Sequence, residues 1–112
     1  MSVLTHICIN INTPNLDAVF AANDLSAAGV YKALFAADLK IPEDMAVAGH
    51  DDIGIASLLR PELTTMRQPK YSLGERAVSV LLKMINNSGT ECEDQILKTN
   101  LIDSNIQPTD PR

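Results

Sequence analysis

Two short apolar runs constrain this chain more than any other feature. Asp17-Ala18-Val19-Phe20-Ala21-Ala22 and Met45-Ala46-Val47-Ala48-Gly49 show almost no alternation of polar and apolar residues. Each stops in a polar cluster, Asn23-Asp24 after the first and His50-Asp51-Asp52 after the second. A strand with one wet face alternates, whereas a continuous run is the pattern of a parallel strand buried on both faces. Parallel neighbours need a crossover, and the residues between the two runs supply one. Asn23 and Asp24 have N-cap chemistry, so a helix is expected from there to about Asp38. Leu25, Ala28, Val30, Tyr31, Ala33, Leu34, Phe35 and Ala37 make that helix apolar nearly all round. Such a helix needs cover on two sides, from the sheet and from a second body.

The alternation continues downstream. Residues 39–44 form a loop around Pro42, residues 53–59 a short helix stopped by Pro61, and residues 63–67 a strand favoured by Thr64 and Thr65. Ser72-Leu73-Gly74-Glu75 has capping-box spacing. The helix after it carries a stripe of Leu73, Ala77, Val78, Leu81, Leu82 and Ile85, with Glu75, Arg76, Ser79 and Lys83 opposite, and ends at Asn86-Asn87-Ser88-Gly89. Residues 95–102 make a last, weak strand. Strand and helix in turn give an α/β fold, a mainly parallel sheet with flanking helices. Upstream of the first run, residues 3–11 read as strand or helix, and the tail 105–112 is expected to fray.

Composition narrows the function classes. The chain has 112 residues, room for one small domain. Hydrophobic residues make up 46% and aromatics 4%, so Leu, Ile, Val, Ala and Met must build the core. A net charge of -5 and scattered Lys and Arg leave no basic stripe to follow a phosphate backbone. Cys8 and Cys92 give neither a disulfide framework nor a metal site. No apolar run reaches the roughly 18 residues that span a bilayer, and no signal peptide is read at the N-terminus. A cytoplasmic location is expected, with no cofactor and no membrane partner.

In an open parallel sheet, ligands bind at the carboxyl ends of the strands. Asn23-Asp24 and His50-Asp51-Asp52 stand at two such ends, where an amide and a carboxylate can meet a hydroxylated ligand. Gly49 lets the backbone turn there without a side-chain clash. Spacing alone leaves helix capping and ligand contact both open for Asn23, Asp24, Asp51 and Asp52. His50 beside two carboxylates does not make an enzyme or metal site. No nucleophile stands in a strained turn motif, and consecutive side chains of a strand cannot face one point.

Three segments converge on one family. Residues 18–24 (AVFAAND), residues 41–52 (IPEDMAVAGHDD) and residues 60–69 (RPELTTMRQP), the last followed by Leu73-Gly74, occur in order. Together they resemble the effector-binding domain of LacI/GalR transcription regulators in its C-terminal part, a resemblance that extends over residues 16–104 and leaves residues 1–15 unmatched. The resemblance implies a periplasmic-binding-protein-like fold in which two α/β subdomains enclose a small-molecule effector, a sugar or nucleobase-like compound. It implies effector contacts from Asn23 and Asp51, with Asp24, His50 and Asp52 behind them or capping. It implies a dimer interface at Ala28, Lys32, Ala36, Ile55, Leu58 and Leu59, in a homodimer or a mixed dimer with a full-length relative. DNA would be reached only through a helix-turn-helix outside this sequence, and no enzymatic activity is implied. A transport-type sugar-binding protein and a stand-alone dimerisation module or remnant are the alternatives.

Overall fold

The structure, a computed structural model, describes residues 16–87, 91 and 93–104. The expectations for residues 1–15, for the tail 105–112, for Ser88-Gly89 and for Cys92 lie outside the described residues. Seven elements follow one another: β1 (Ala18–Phe20), α1 (Asp24–Ala36), β2 (Ala46–Ala48), α2 (Ile55–Leu58), β3 (Thr65–Arg67), α3 (Lys70–Asn86) and β4 (Asn100–Ile102). This is the alternation expected from the apolar runs. The chain divides into two compact units, one reaching to Arg67 and resuming at Leu101, the other Gln68–Asn100.

In the first unit β1 and β2 pair in parallel, with Ala18 opposite Ala46, Val19 opposite Val47 and Phe20 opposite Ala48. Parallel bridges Ala48–Thr64 and Asp51–Arg67 carry the pairing on to β3. Gly49 N–H donates to the Thr64 carbonyl and Asp51 N–H to the Met66 carbonyl, both at 2.9 Å. β3 in turn pairs with β4. Helix α1, the crossover between β1 and β2, packs on β2 and on α2. Its residues Ala27, Val30, Tyr31 and Leu34 are buried, the spacing of one helical face. They meet Val47, Ile41, Met45, Ala56 and Leu63 in one core. Leu25 and Phe35 stay 67% and 48% exposed, so the helix does carry a second apolar face.

One expectation changes here. β2 is covered on one face only among the described residues. Val47 is buried, while Ala46 and Ala48 are half-buried, as the alternation of side chains across a strand requires. With Ala18, Phe20, Thr64 and Leu101 they line an open groove of about 280 Å³.

The second unit is built on α3. This helix starts at Lys70, so Ser72 lies inside its first turn and the capping-box reading of Ser72 fails. Pro69 explains the earlier start. Its ring presets a near-helical φ of -77°, and its carbonyl accepts from Leu73 N–H at 2.8 Å. No residue of α3 is buried. Arg76 Nη1 donates to Gln95 Oε1 at 3.1 Å within the same unit.

Candidate functional site

The carboxyl ends of β1 and β2 lie side by side because their strands are parallel and in register. Asp24 N–H donates to the His50 carbonyl at 3.0 Å, which ties the two polar clusters together through the backbone. The sequence clusters Asn23-Asp24 and His50-Asp51-Asp52 therefore form one edge of the first unit.

Within that edge the five side chains divide the work. Asn23 is the N-cap of α1: its backbone is extended and its Oδ1 accepts from Ser26 N–H at 2.8 Å. Such a bond satisfies one of the four unpaired N–H groups of a helix start and is worth about 1 kcal/mol. Asn23 is only half-buried, so capping leaves its amide N–H2 group on the edge. Asp24, by contrast, is wholly buried. Its Oδ1 accepts from the Thr65 hydroxyl at 2.6 Å and its Oδ2 from Ile53 N–H at 2.8 Å. Asp24 therefore links α1 to β3 and to the segment before α2.

His50 Nδ1 lies 3.0 Å from Asp51 Oδ1. The side chains of this pair are about one-third exposed, 32% and 33%. Asp51 and Asp52 both have positive φ, 114° and 54°. Asp52 pairs with Arg67, Oδ2 to Nε at 2.6 Å, and its N–H donates to Thr65 Oγ1 at 3.2 Å. The Arg67 side chain is 58% exposed, so solvent holds this pair to at most about 1 kcal/mol. Neither Asp51 nor Asp52 caps α2. That helix has Gly54 at its N-cap position with no side-chain bond, and the carboxylate on Ile53 N–H belongs to Asp24.

Gly49 has a reason other than the expected one. A Cβ on it would collide with Asp24 Oδ1 and would lie 2.9 Å from Leu63 Cδ2. Space for the buried carboxylate, rather than a special turn, requires glycine there. Sequence reasoning misses this and reads Thr65 only for its β preference. The sole signal is the placement of a small residue and a hydroxyl residue near two strand ends.

Of the residues linked to an interface, Ala28 is half-buried on α1, where Lys32 and Ala36 are exposed. Ile55 is half-buried and Leu58 is 75% exposed on the adjoining α2. Leu59, just beyond, packs partly on the core. Among the described residues no three His, Cys, Asp or Glu side chains come together to hold a metal ion, and no helix is long and apolar enough to cross a membrane.

A family model described as a periplasmic binding protein-like domain matches residues 4–103. The ribose operon repressor of Escherichia coli K12 is 54% identical over 68 residues, 61% of this chain and 21% of that protein. A LacI family transcriptional regulator from Enterococcus faecalis V583, solved with bound ribose, matches 90% of this chain and 38% of its own, with a TM-score of 0.80 and 33% identity. The lac repressor dimer bound to operator and the anti-inducer ONPF gives a TM-score of 0.80 at 29% identity, over 92% of this chain and 36% of that one. The chain spans well under half the length of each of these relatives. The parallel strand order, the polar edge at the strand ends and these likenesses agree: the chain belongs to the LacI/GalR family of transcriptional regulators, through its periplasmic-binding-protein-like domain.

Proposed function

We propose that this chain supplies one wall of an effector cleft and binds a small sugar through Asn23 and Asp51. The observation that carries the reading is their common edge, joined by the Asp24 N–H to His50 carbonyl bond. An Asn amide donates and an Asp carboxylate accepts, and a sugar hydroxyl does both. Capping uses the Asn23 oxygen and leaves the amide N–H2 for a ligand, so the two roles of Asn23 are compatible. A similar regulator was solved with ribose bound, which favours D-ribose as the first compound to try.

In the intact regulator the mechanism is linkage. A ligand that prefers one cleft arrangement shifts the balance between two states, and the paired DNA-binding heads engage an operator differently in each. The heads belong to a helix-turn-helix outside residues 1–112. Pairing would run through α1 and α2, at Ala28, Lys32, Ala36, Ile55, Leu58 and Leu59. The exposed Leu25 and Phe35 on α1 support an apolar contact there, and a similar repressor was solved as a dimer. Residues 16–104 form the sensing portion. The protein acts where the operator is, in the cytoplasm, and performs no catalysis, as its repressor relatives suggest.

Titration of the 112-residue chain with D-ribose, followed by backbone amide NMR, tests the contact. The expected result is saturable shifts centred on Asn23 and Asp51 that vanish in Asp51→Ala. A chain that ignores ribose, or responds only far from this edge, overturns the reading. Sedimentation tests the pairing: Leu58→Glu should shift a dimer towards monomer, and a wild-type chain that stays monomeric at all concentrations refutes it.

A further inference from the structure

The proposed ligand contacts leave the buried carboxylate of Asp24 unexplained. A charge out of water is tolerated only when it is paired or well hydrogen-bonded. An acid in the first turn of a helix benefits from the positive end of the helix dipole. That accounts for an acid at this position but not for its complete burial, since an exposed acid serves the helix as well.

The reason lies at the other end of its hydrogen bonds. Asp51 and Asp52 both hold positive φ, a conformation that non-glycine residues keep only when their surroundings enforce it. Three successive backbone N–H groups pin this turn. Asp51 N–H goes to the Met66 carbonyl at 2.9 Å, Asp52 N–H to Thr65 Oγ1 at 3.2 Å, and Ile53 N–H to Asp24 Oδ2 at 2.8 Å. The Thr65 hydroxyl gives its own proton to Asp24 Oδ1 at 2.6 Å. Two of the three amides thus end on one carboxylate, Ile53 directly and Asp52 through a hydroxyl relay. The polarity of the relay is set by Asp24. Thr65 Oγ1 is open to Asp52 N–H because its proton is committed to an acceptor that carries no hydrogen. A carboxamide with its oxygen on Ile53 N–H would instead turn an N–H2 group on Thr65.

We propose that Asp24 is a positioning residue for the binding edge. It locks the turn 51–53 and so orients the Asp51 carboxylate beside Asn23 without touching the ligand. Gly49 is its complement, the residue whose missing Cβ makes room for the carboxylate. The proposal rests on the sugar contact assigned above to Asn23 and Asp51.

The test combines amide hydrogen exchange with a D-ribose titration on the full chain, for wild type, Asp24→Asn, Thr65→Val and Thr65→Ser. Asp24→Asn should speed exchange at Asp52 and Ile53 by about tenfold or more relative to Val30 and Leu34 in α1. It should also weaken the ribose response at Asp51 by about tenfold. Thr65→Val should release Asp52 but not Ile53, and Thr65→Ser, which keeps the hydroxyl, should behave as wild type. Unchanged protection at Asp52 and Ile53 in Asp24→Asn overturns the proposal. So does an equal rise at Val30 and Leu34, which would make Asp24 a general support of the fold. If Asp24→Asn does not fold, the contrast between Thr65→Val and Thr65→Ser decides alone. A wild-type chain that ignores ribose defeats the sugar reading, while the exchange data still show whether Asp24 locks the turn.

Discussion

Helices α1 and α3 both carry many apolar side chains, and they use them differently. In α3 the apolar stripe is cleanly separated from the charged face, yet Val78, Leu81, Leu82 and Ile85 are all more than half exposed. In α1 apolar residues run nearly all round, yet Ala27, Val30, Tyr31 and Leu34 are buried. The difference lies in what stands beside each helix within its own unit. Helix α1 has β2 and α2 to close against. Among the described residues of Gln68–Asn100 no two strands pair with each other to form a sheet for α3. A periodic stripe states which face a helix has available for burial, and a neighbouring element decides whether that face is used.

The comparison breaks or sharpens under substitution. Leu34→Ala should cost about 3 kcal/mol of stability in urea titration, because a wholly buried leucine leaves a cavity. Leu82→Ala in α3, the same change on a 53% exposed side chain, should stay within about 0.5 kcal/mol. Equal losses at the two sites would end the distinction between the units. The glycines give a second contrast. Gly49→Ala forces a methyl against Asp24 and Leu63 and should cost about 2 kcal/mol by thermal melting.

Tyr31 gives a smaller effect with a pH signature. Its hydroxyl is buried with no hydrogen-bond partner among the described residues, and its ring meets Phe35 edge-on at 5.9 Å. Burial pushes its pKa from 10.0 up to about 12. The fold therefore favours the neutral phenol. That contribution is complete below pH 10 and is lost as pH rises towards 12. Tyr31→Phe should raise stability by about 1 kcal/mol at neutral pH by removing an unsatisfied group. It should also flatten the part of the alkaline decline that belongs to Tyr31, and an unchanged decline in unfolding titrations between pH 10 and 12 would refute the assignment. Smallest of all, Gly74→Ala in α3 should stabilise by somewhat under 1 kcal/mol, since nothing lies within 4 Å of the added methyl. A loss there instead would mean that this face of α3 is covered.

What could be read from residues alone follows the range of the forces involved. The seven elements and their order were legible because apolar runs, N-cap residues and prolines act within a few positions. The binding edge was legible as a region for the same reason. Which of Asn23 and Asp24 capped the helix was not, because the choice is made by Thr65 and Ile53, 41 and 29 residues further along. The need for glycine at position 49 is legible, but its cause is not, since the steric partner is the Asp24 side chain beyond another strand. The capping box at Ser72 misled because Pro69 starts the helix earlier. The expectation of a strand buried on both faces assumed cover that the described residues do not provide.

The return of the chain to the first unit bears on how the protein is made. Ser104 meets Thr64 across 40 residues, and its hydroxyl reaches the Glu62 carbonyl across 42. During synthesis β3 leaves the ribosome with β2 already available, but its other partner, β4, waits for residues 68–100 to be translated. At ordinary elongation rates that wait is on the order of a few seconds. For that interval the outer edge of β3 is an open strand, able to pair with a neighbouring nascent chain. The time taken to make residues 68–100 therefore sets how long that edge stays open, a quantity that no contact in the finished fold records.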